Sequence, residues 1–213
     1  MKRTFSIALA LITWVAVFVQ SYTFVIMFQN EGFSLGDSIA QVLSFFTLHT
    51  NVALALVVSL PLIMRNGRLY DWANASWTHG AVTVYITMVA LIYHFVIRDL
   101  WNPTGVTLWM DIILHYISPL GWWIYWISSP KGYLKLSYAW TWLLFPFIYI
   151  VGILLRGHFA SFYPYPFLDV DQIGLVTVLF NVAGMSLLFW GMGLFVWLID
   201  RGWGRLAGRG SIR

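Results

Sequence analysis

Residues 39–64 read IAQVLSFFTLHTNVALALVVSLPLIM, a stretch without a single charged side chain. As a helix rising 1.5 Å per residue, it is long enough to cross a hydrocarbon core of about 30 Å. Its apolar residues do not alternate with period two, which argues against a barrel strand. Working outward from it, five further stretches have the same character: about Phe5–Met27, Trp77–Ile97, Leu108–Ile127, Leu136–Leu155 and Ile173–Ile199. Turn or charged residues separate them at Asn30–Gly36, Arg65–Asp71, Arg98–Gly105, Ser128–Lys135 and Arg156–Asp171. The pattern predicts an all-α, polytopic integral membrane bundle of six transmembrane helices, one domain over residues 1–213.

Composition agrees. Apolar residues make up 60% of the chain and charged ones 9%, against roughly 25% charged in ordinary soluble domains. The aromatic share of 19%, with 13 Trp, suits amphipathic rings settling at both membrane interfaces. The absence of cysteine excludes disulfides, zinc–thiolate sites and thiol catalysis. The apolar run after Lys2 and Arg3 is too long for a signal-peptide core and lacks a small-residue cleavage site, so it is read as a retained first span.

The basic residues orient the bundle. One side carries Lys2, Arg3, Arg65, Arg68, Lys131, Lys135, Arg201, Arg205, Arg209 and Arg213; the other carries only Arg98 and Arg156. The positive-inside rule places the first group, and both termini, in the cytoplasm. The net charge of +4 is thus read as topology, not as a nucleic-acid-binding surface. A multi-pass protein of the bacterial inner membrane is expected, its basic tail drawn to anionic headgroups.

Ionisable side chains inside a span are expensive and seek the bundle interior or an aqueous cavity. Four of the five histidines, His49, His94, His115 and His158, fall toward the outer side; His79 lies near the cytoplasm. Ser44, Thr47, Thr50 and Asn51 share one helical face by their spacing, as do Asp111, His115 and Ser118. Asp111, one turn before His115, is placed to orient its imidazole. Each feature also has a plain reading: Thr and Ser bonding a backbone carbonyl, histidines satisfied by interfacial water, Arg98 and Arg156 snorkelling to headgroups. No HExxH, close His pair or Gly-rich phosphate loop occurs, so no metal and no cofactor are expected. Tyr163-Pro164-Tyr165-Pro166-Phe167-Leu168-Asp169 cannot be helical, because two prolines impose an extended path. Its aromatics suit a cap over the outer mouth or an interfacial anchor.

Phe45-Phe46-Thr47, Leu114-His115 with Pro119, and Arg156-Gly157-His158 followed by Tyr165-Pro166-Phe167-Leu168-Asp169 together resemble the androgen-induced-gene family of small multi-span proteins. The resemblance runs from about Thr47 to Asp171, most specifically in the YPFL-acidic segment, and makes the chain similar to a bacterial-type member. It implies an intramembrane threonine hydrolase cleaving fatty acid esters of hydroxy fatty acids, with Thr47 as nucleophile and His115 as base. In that scheme Asp111 orients His115, and Thr50, Asn51 or His158 stabilises the oxyanion. Membrane lipids or fatty-acyl esters are the expected partners. The alternative is a non-enzymatic lipid- or small-molecule-binding or transport protein using the same pocket, with a scaffold protein as a weaker third.

Overall fold

The computed structural model describes residues 3–206, and every regular element among them is helical. Lys2, Arg209 and Arg213 of the basic set lie outside the described residues. The helices are α1 (Arg3–Asn30), α2 (Leu35–Val42), α3 (Phe46–Ile63), α4 (Arg68–Asn74), α5 (Ser76–Ile92), α6 (Gly105–Ile112), α7 (Ser118–Ile127), α8 (Tyr138–Thr141), α9 (Leu144–Ala160), α10 (Val170–Ile173) and α11 (Leu175–Leu206). Among the described residues, five helical runs are long and apolar enough to cross a membrane: Arg3–Asn30, Phe46–Ile63, Ser76–Leu100, Tyr138–Ala160 and Leu175–Leu206. The arrangement is compatible with a multi-pass membrane protein.

The expected fourth span is not among the five. Residues 105–127 are helical throughout, but Asp111, His115, Ser118 and a set of tryptophans dilute their apolar character. Two other boundaries also move. The last span begins at Leu175, after Gly174 takes a left-handed φ of 79°, and runs on to Leu206. The second expected span is broken, not continuous. Residues 43–45 leave the helix, with Phe45 extended at φ −82° and ψ 122°.

α5 is the central helix, packed against α3, α7 and α11. Its Val84, Ile86, Met88 and Val89 meet Leu54, Val57 and Val58 of α3 in a core almost closed to solvent. Gly80 permits a close approach: a Cβ there would stand 2.4 Å from the Trp142 ring. Polar atoms inside this interface pair across helices. Trp122 Nε1 donates to Thr83 Oγ1 at 2.9 Å and Trp123 Nε1 to Thr87 Oγ1 at 2.8 Å. Without water to bond to, each such indole N–H needs a partner. The outward faces are the reverse: Leu11, Phe18, Phe147, Phe180 and Leu187 are all well exposed.

The break at 43–45 frees backbone groups that a bundle interior cannot leave unpaired. Remote side chains take them up. The Tyr149 hydroxyl donates to Ser44 O at 2.6 Å, the Phe46 N–H donates to Tyr165 Oη at 3.1 Å, and His49 Nδ1 bonds Phe45 O at 2.9 Å. The gain is the anchoring of Phe46, whose ring centroid lies 4.9 Å from Tyr149 and 5.3 Å from Phe145. Thr47 thereby becomes the second residue of α3, at a helix N-terminus instead of inside a continuous span.

Replacing Tyr149 by Phe removes the donor to Ser44 O and leaves that buried carbonyl unpaired, at a cost of about 1–3 kcal/mol. The unfolding midpoint of the detergent-solubilised Tyr149→Phe protein is expected to fall by several degrees. An unchanged midpoint contradicts this origin of the break.

Candidate functional site

Two π-helical turns lie side by side, at Tyr93–Ile97 after α5 and at Ile113–Ile117 between α6 and α7. Each inserts a residue into the helix and rotates the side chains beyond it, a distortion often found where side chains are positioned for function. The first turn brings Tyr93 inward and leaves His94 and Phe95 exposed. The second holds His115. The Tyr93 and His115 rings stack with centroids 3.8 Å apart and planes 16° apart.

Asp111 sits between them, only 3% exposed. The Tyr93 hydroxyl donates to Asp111 Oδ2. His115 Nδ1 lies 2.9 Å from Asp111 O and 3.2 Å from Asp111 Oδ1. Both of those oxygens accept, so Nδ1 carries the proton and Nε2 presents its lone pair. Nε2 faces the Thr47 hydroxyl at 3.3 Å, and the hydroxyl therefore donates to it. The resulting relay runs from Thr47 through His115 to Asp111, with Tyr93 holding the carboxylate from behind. The 3.3 Å spacing is at the long end for a hydrogen bond.

The pair opens into a cavity of about 320 Å³. Phe24, Phe28, Phe45 and Trp101 give it an apolar wall, and the segment from Phe162 to Pro166 roofs it. Gln20 of α1 also lines it; its Oε1 is buried without a partner among the described residues. Neither Gln20 nor Tyr93 stands out in the sequence. Gln20 is one polar residue in an apolar span, and Tyr93 is outranked there by its neighbour His94.

The other expected residues divide. Thr50 and Asn51 are close, but their donors are engaged. Thr50 Oγ1 donates to Phe46 O and Thr47 O, both at 3.1 Å, and Asn51 Nδ2 donates to Thr47 O at 2.9 Å and Leu114 O at 3.3 Å. Asn51 braces α3 against the π turn, while Thr50 bonds within its own helix. His158 is exposed on α9, edge-on to Phe159, and lines no wall of this cavity. Ser44 falls in the helix break, and Ser118 turns to Thr13 of α1 at 3.0 Å, so neither extends its stripe into the site. His94 bonds Tyr116 Oη at 3.1 Å on the exposed side. His79 is at the far end, against Ala73 O.

The proline-bearing segment does fold back over the site. Tyr163, Pro164, Tyr165 and Pro166 line the cavity, whereas Phe167 faces the opposite side of Thr47. Tyr165 is the deepest, its hydroxyl accepting from Phe46 N–H at 3.1 Å and its side chain lining the cavity with Thr47. Asp169 takes no part in the cavity. It caps α10, accepting from Asp171 N at 3.0 Å and Gln172 N at 3.1 Å. Asn181 Nδ2 ties the segment to α11 through Phe167 O at 2.9 Å. Among the described residues, no three His, Asp or Glu side chains converge as a metal site.

Comparison with known proteins brings no match to any family model, curated protein or solved structure.

Gly157 makes room for the cap, since a Cβ there would stand 2.0 Å from the Tyr163 ring. Gly157→Ala is expected to displace Tyr163 and raise amide exchange across residues 162–168 at least tenfold, with the core of α5 unchanged. Equal protection in both proteins contradicts the seating of the cap on this glycine.

Proposed function

We propose that the chain is an intramembrane lipid-ester hydrolase with Thr47 as nucleophile and His115 as general base. One observation carries the reading: His115 Nε2 faces the Thr47 hydroxyl while Nδ1 is held by Asp111, at the mouth of an apolar cavity. A threonine hydroxyl is a poor nucleophile until a base takes its proton during attack. Thr47 Oγ1 adds to the ester carbonyl carbon as its proton passes to His115 Nε2. The C–O bond to the alcohol then breaks, and His115 returns the proton to the departing alkoxide. Water adds to the acyl-threonine with His115 again as base, releasing the carboxylic acid and restoring the Thr47 hydroxyl.

The charged imidazolium formed in each half-reaction is stabilised by Asp111, as in other nucleophile–His–carboxylate relays. Negative charge on the carbonyl oxygen falls next to the first turn of α3, where N–H groups lack intrahelical partners. The Thr47 N–H and the Tyr165 hydroxyl are the donors assigned to it. They replace Thr50, Asn51 and His158 in the role expected from sequence. A fatty-acyl ester of the kind implied by the androgen-induced-gene resemblance suits the cavity's apolar wall. The competing reading, a lipid binder or transporter without chemistry, accounts for the cavity but gives the alignment of Nε2 on Thr47 no purpose.

We place this site in the outer half of a six-span bundle of a bacterial-type inner membrane, with residues 105–127 as the remaining span and both ends cytoplasmic. A buried proton relay allows the polar fourth span to be carried inside a membrane, since its ionisable groups are paired. Arg65, Arg68, Lys135, Arg201 and Arg205 lie in segments at the end opposite the site, and the positive-inside rule supports that side as cytoplasmic.

Thr47→Ala and His115→Ala are each expected to lower kcat/KM toward a fluorogenic acyl ester by about 10³ or more. Tyr93→Phe keeps the ring stack but loses the donor to Asp111, and should cost roughly tenfold. Turnover unchanged in either alanine variant removes the assignment. The lack of native cysteine makes topology directly measurable in intact cells. Asn102→Cys should react with a membrane-impermeant maleimide and Asn66→Cys should not; the reverse pattern inverts the proposed orientation.

A further inference from the structure

Thr47 stands between two cavities. On the side away from His115 lies a narrow cleft of about 40 Å³, walled by Phe46, Val89, Ile92, Tyr149 and Leu168. A separate groove of about 300 Å³ opens between α9 and α11. Pro146, Ile150, Met185 and Phe189 line both. Four apolar side chains are thus all that part the lateral groove from the cleft beside Thr47. No charged residue lines either space; Ser186 Oγ donates to Val182 O at 2.8 Å and Tyr149 Oη to Ser44 O, the Trp140 indole borders the groove, and Thr47 and Tyr165 stand at the inner end of the cleft.

We propose that the α9–α11 groove is a binding site for a linear acyl chain, whose carbonyl end reaches Thr47 through the cleft. The placement of that carbonyl rests on the hydrolase reading; the binding of the chain does not. The chemistry of the walls selects the ligand. A charged headgroup or a peptide backbone would enter a groove with no charged partner and almost no polar one, and lose most of its hydrogen bonds. A polymethylene chain loses none and matches the apolar wall along its length. The cleft admits one narrow chain and nothing broader. Met185 is the side chain suited to yield, since an unbranched thioether changes rotamer easily, whereas Pro146 and the buried Phe189 form the fixed sides. The larger cavity, with His115 and Gln20, is left for the alcohol half of the ester and for water.

The test uses the full chain in phosphatidylcholine nanodiscs with palmitic acid carrying a diazirine at its terminal carbon. After photolysis, adducts are mapped by peptide mass spectrometry. The proposal expects adducts concentrated on residues 140–150 and 185–189, reduced at least fivefold by excess unlabelled palmitic acid. Met185→Trp and Ser186→Phe, which fill the groove from its inner wall and its mouth, should each reduce them by a similar factor, and Met185→Leu should not. Adducts that resist the competitor mark mere contact with bulk lipid and overturn the proposal. So do adducts confined to Phe24, Phe28 and Trp101. Groove labelling in a protein that hydrolyses no ester preserves this binding site and removes the hydrolase reading. Ester turnover without groove labelling does the opposite.

Discussion

A carboxylate withdrawn from water has to find donors, and Asp111 finds two. The Tyr93 hydroxyl reaches it from the helix before, and His115 Nδ1 from one turn along its own helix. Leaving such a group unpaired in a membrane-like interior would cost several kcal/mol, so the two π turns that deliver its partners are held in register by it. The geometry at this end of the bundle depends on that register. It sets the stack of Tyr93 on His115, the tautomer of the imidazole and the direction in which Nε2 points.

A second constraint acts on Thr47. Breaking the helix at 43–45 exposes backbone groups that Tyr149 and Tyr165, with His49 from the next turn, bring back into balance. Tyr165 belongs to the segment that roofs the cavity, so the roof and the start of α3 are one structure. A displacement of the roof therefore loosens the turn that carries Thr47, which ties access to the cavity to the geometry of the relay. The apolar surroundings serve the same end, since a hydrogen-bonded relay is stronger where water is excluded.

Helical class, the apolar runs and the pairing of Asp111 with His115 were legible in the sequence because they depend on composition and on spacing along a single helix, whereas Thr47 was set against His115 only by the family resemblance. Asp111 and His115 are four residues apart, and one turn brings them together whatever the rest of the chain does. What sequence spacing could not carry was register across a distortion. A π turn is a single-residue insertion without a sequence signature here, and it turns Tyr93 inward at the expense of His94. The break before Phe46 was hidden for a related reason. The stretch is apolar throughout, and the residues that stabilise the interruption lie 105 and 119 positions away. His158 was misplaced because membership of the outer end says nothing about which face of α9 it occupies. Gln20 becomes conspicuous only once the cavity around it exists.

Thr47 holds a position that no other hydroxyl among the described residues shares, opposite an imidazole nitrogen whose partner nitrogen is held by a carboxylate, and the proposed hydrolase requires that position to make it reactive. Covalent capture tests that reactivity most directly. The protein is treated with an alkyl fluorophosphonate and the adduct located by tandem mass spectrometry. The relay predicts a single adduct on Thr47 that disappears in the His115→Ala protein. Absence of any adduct, or a modified residue other than Thr47, would contradict it.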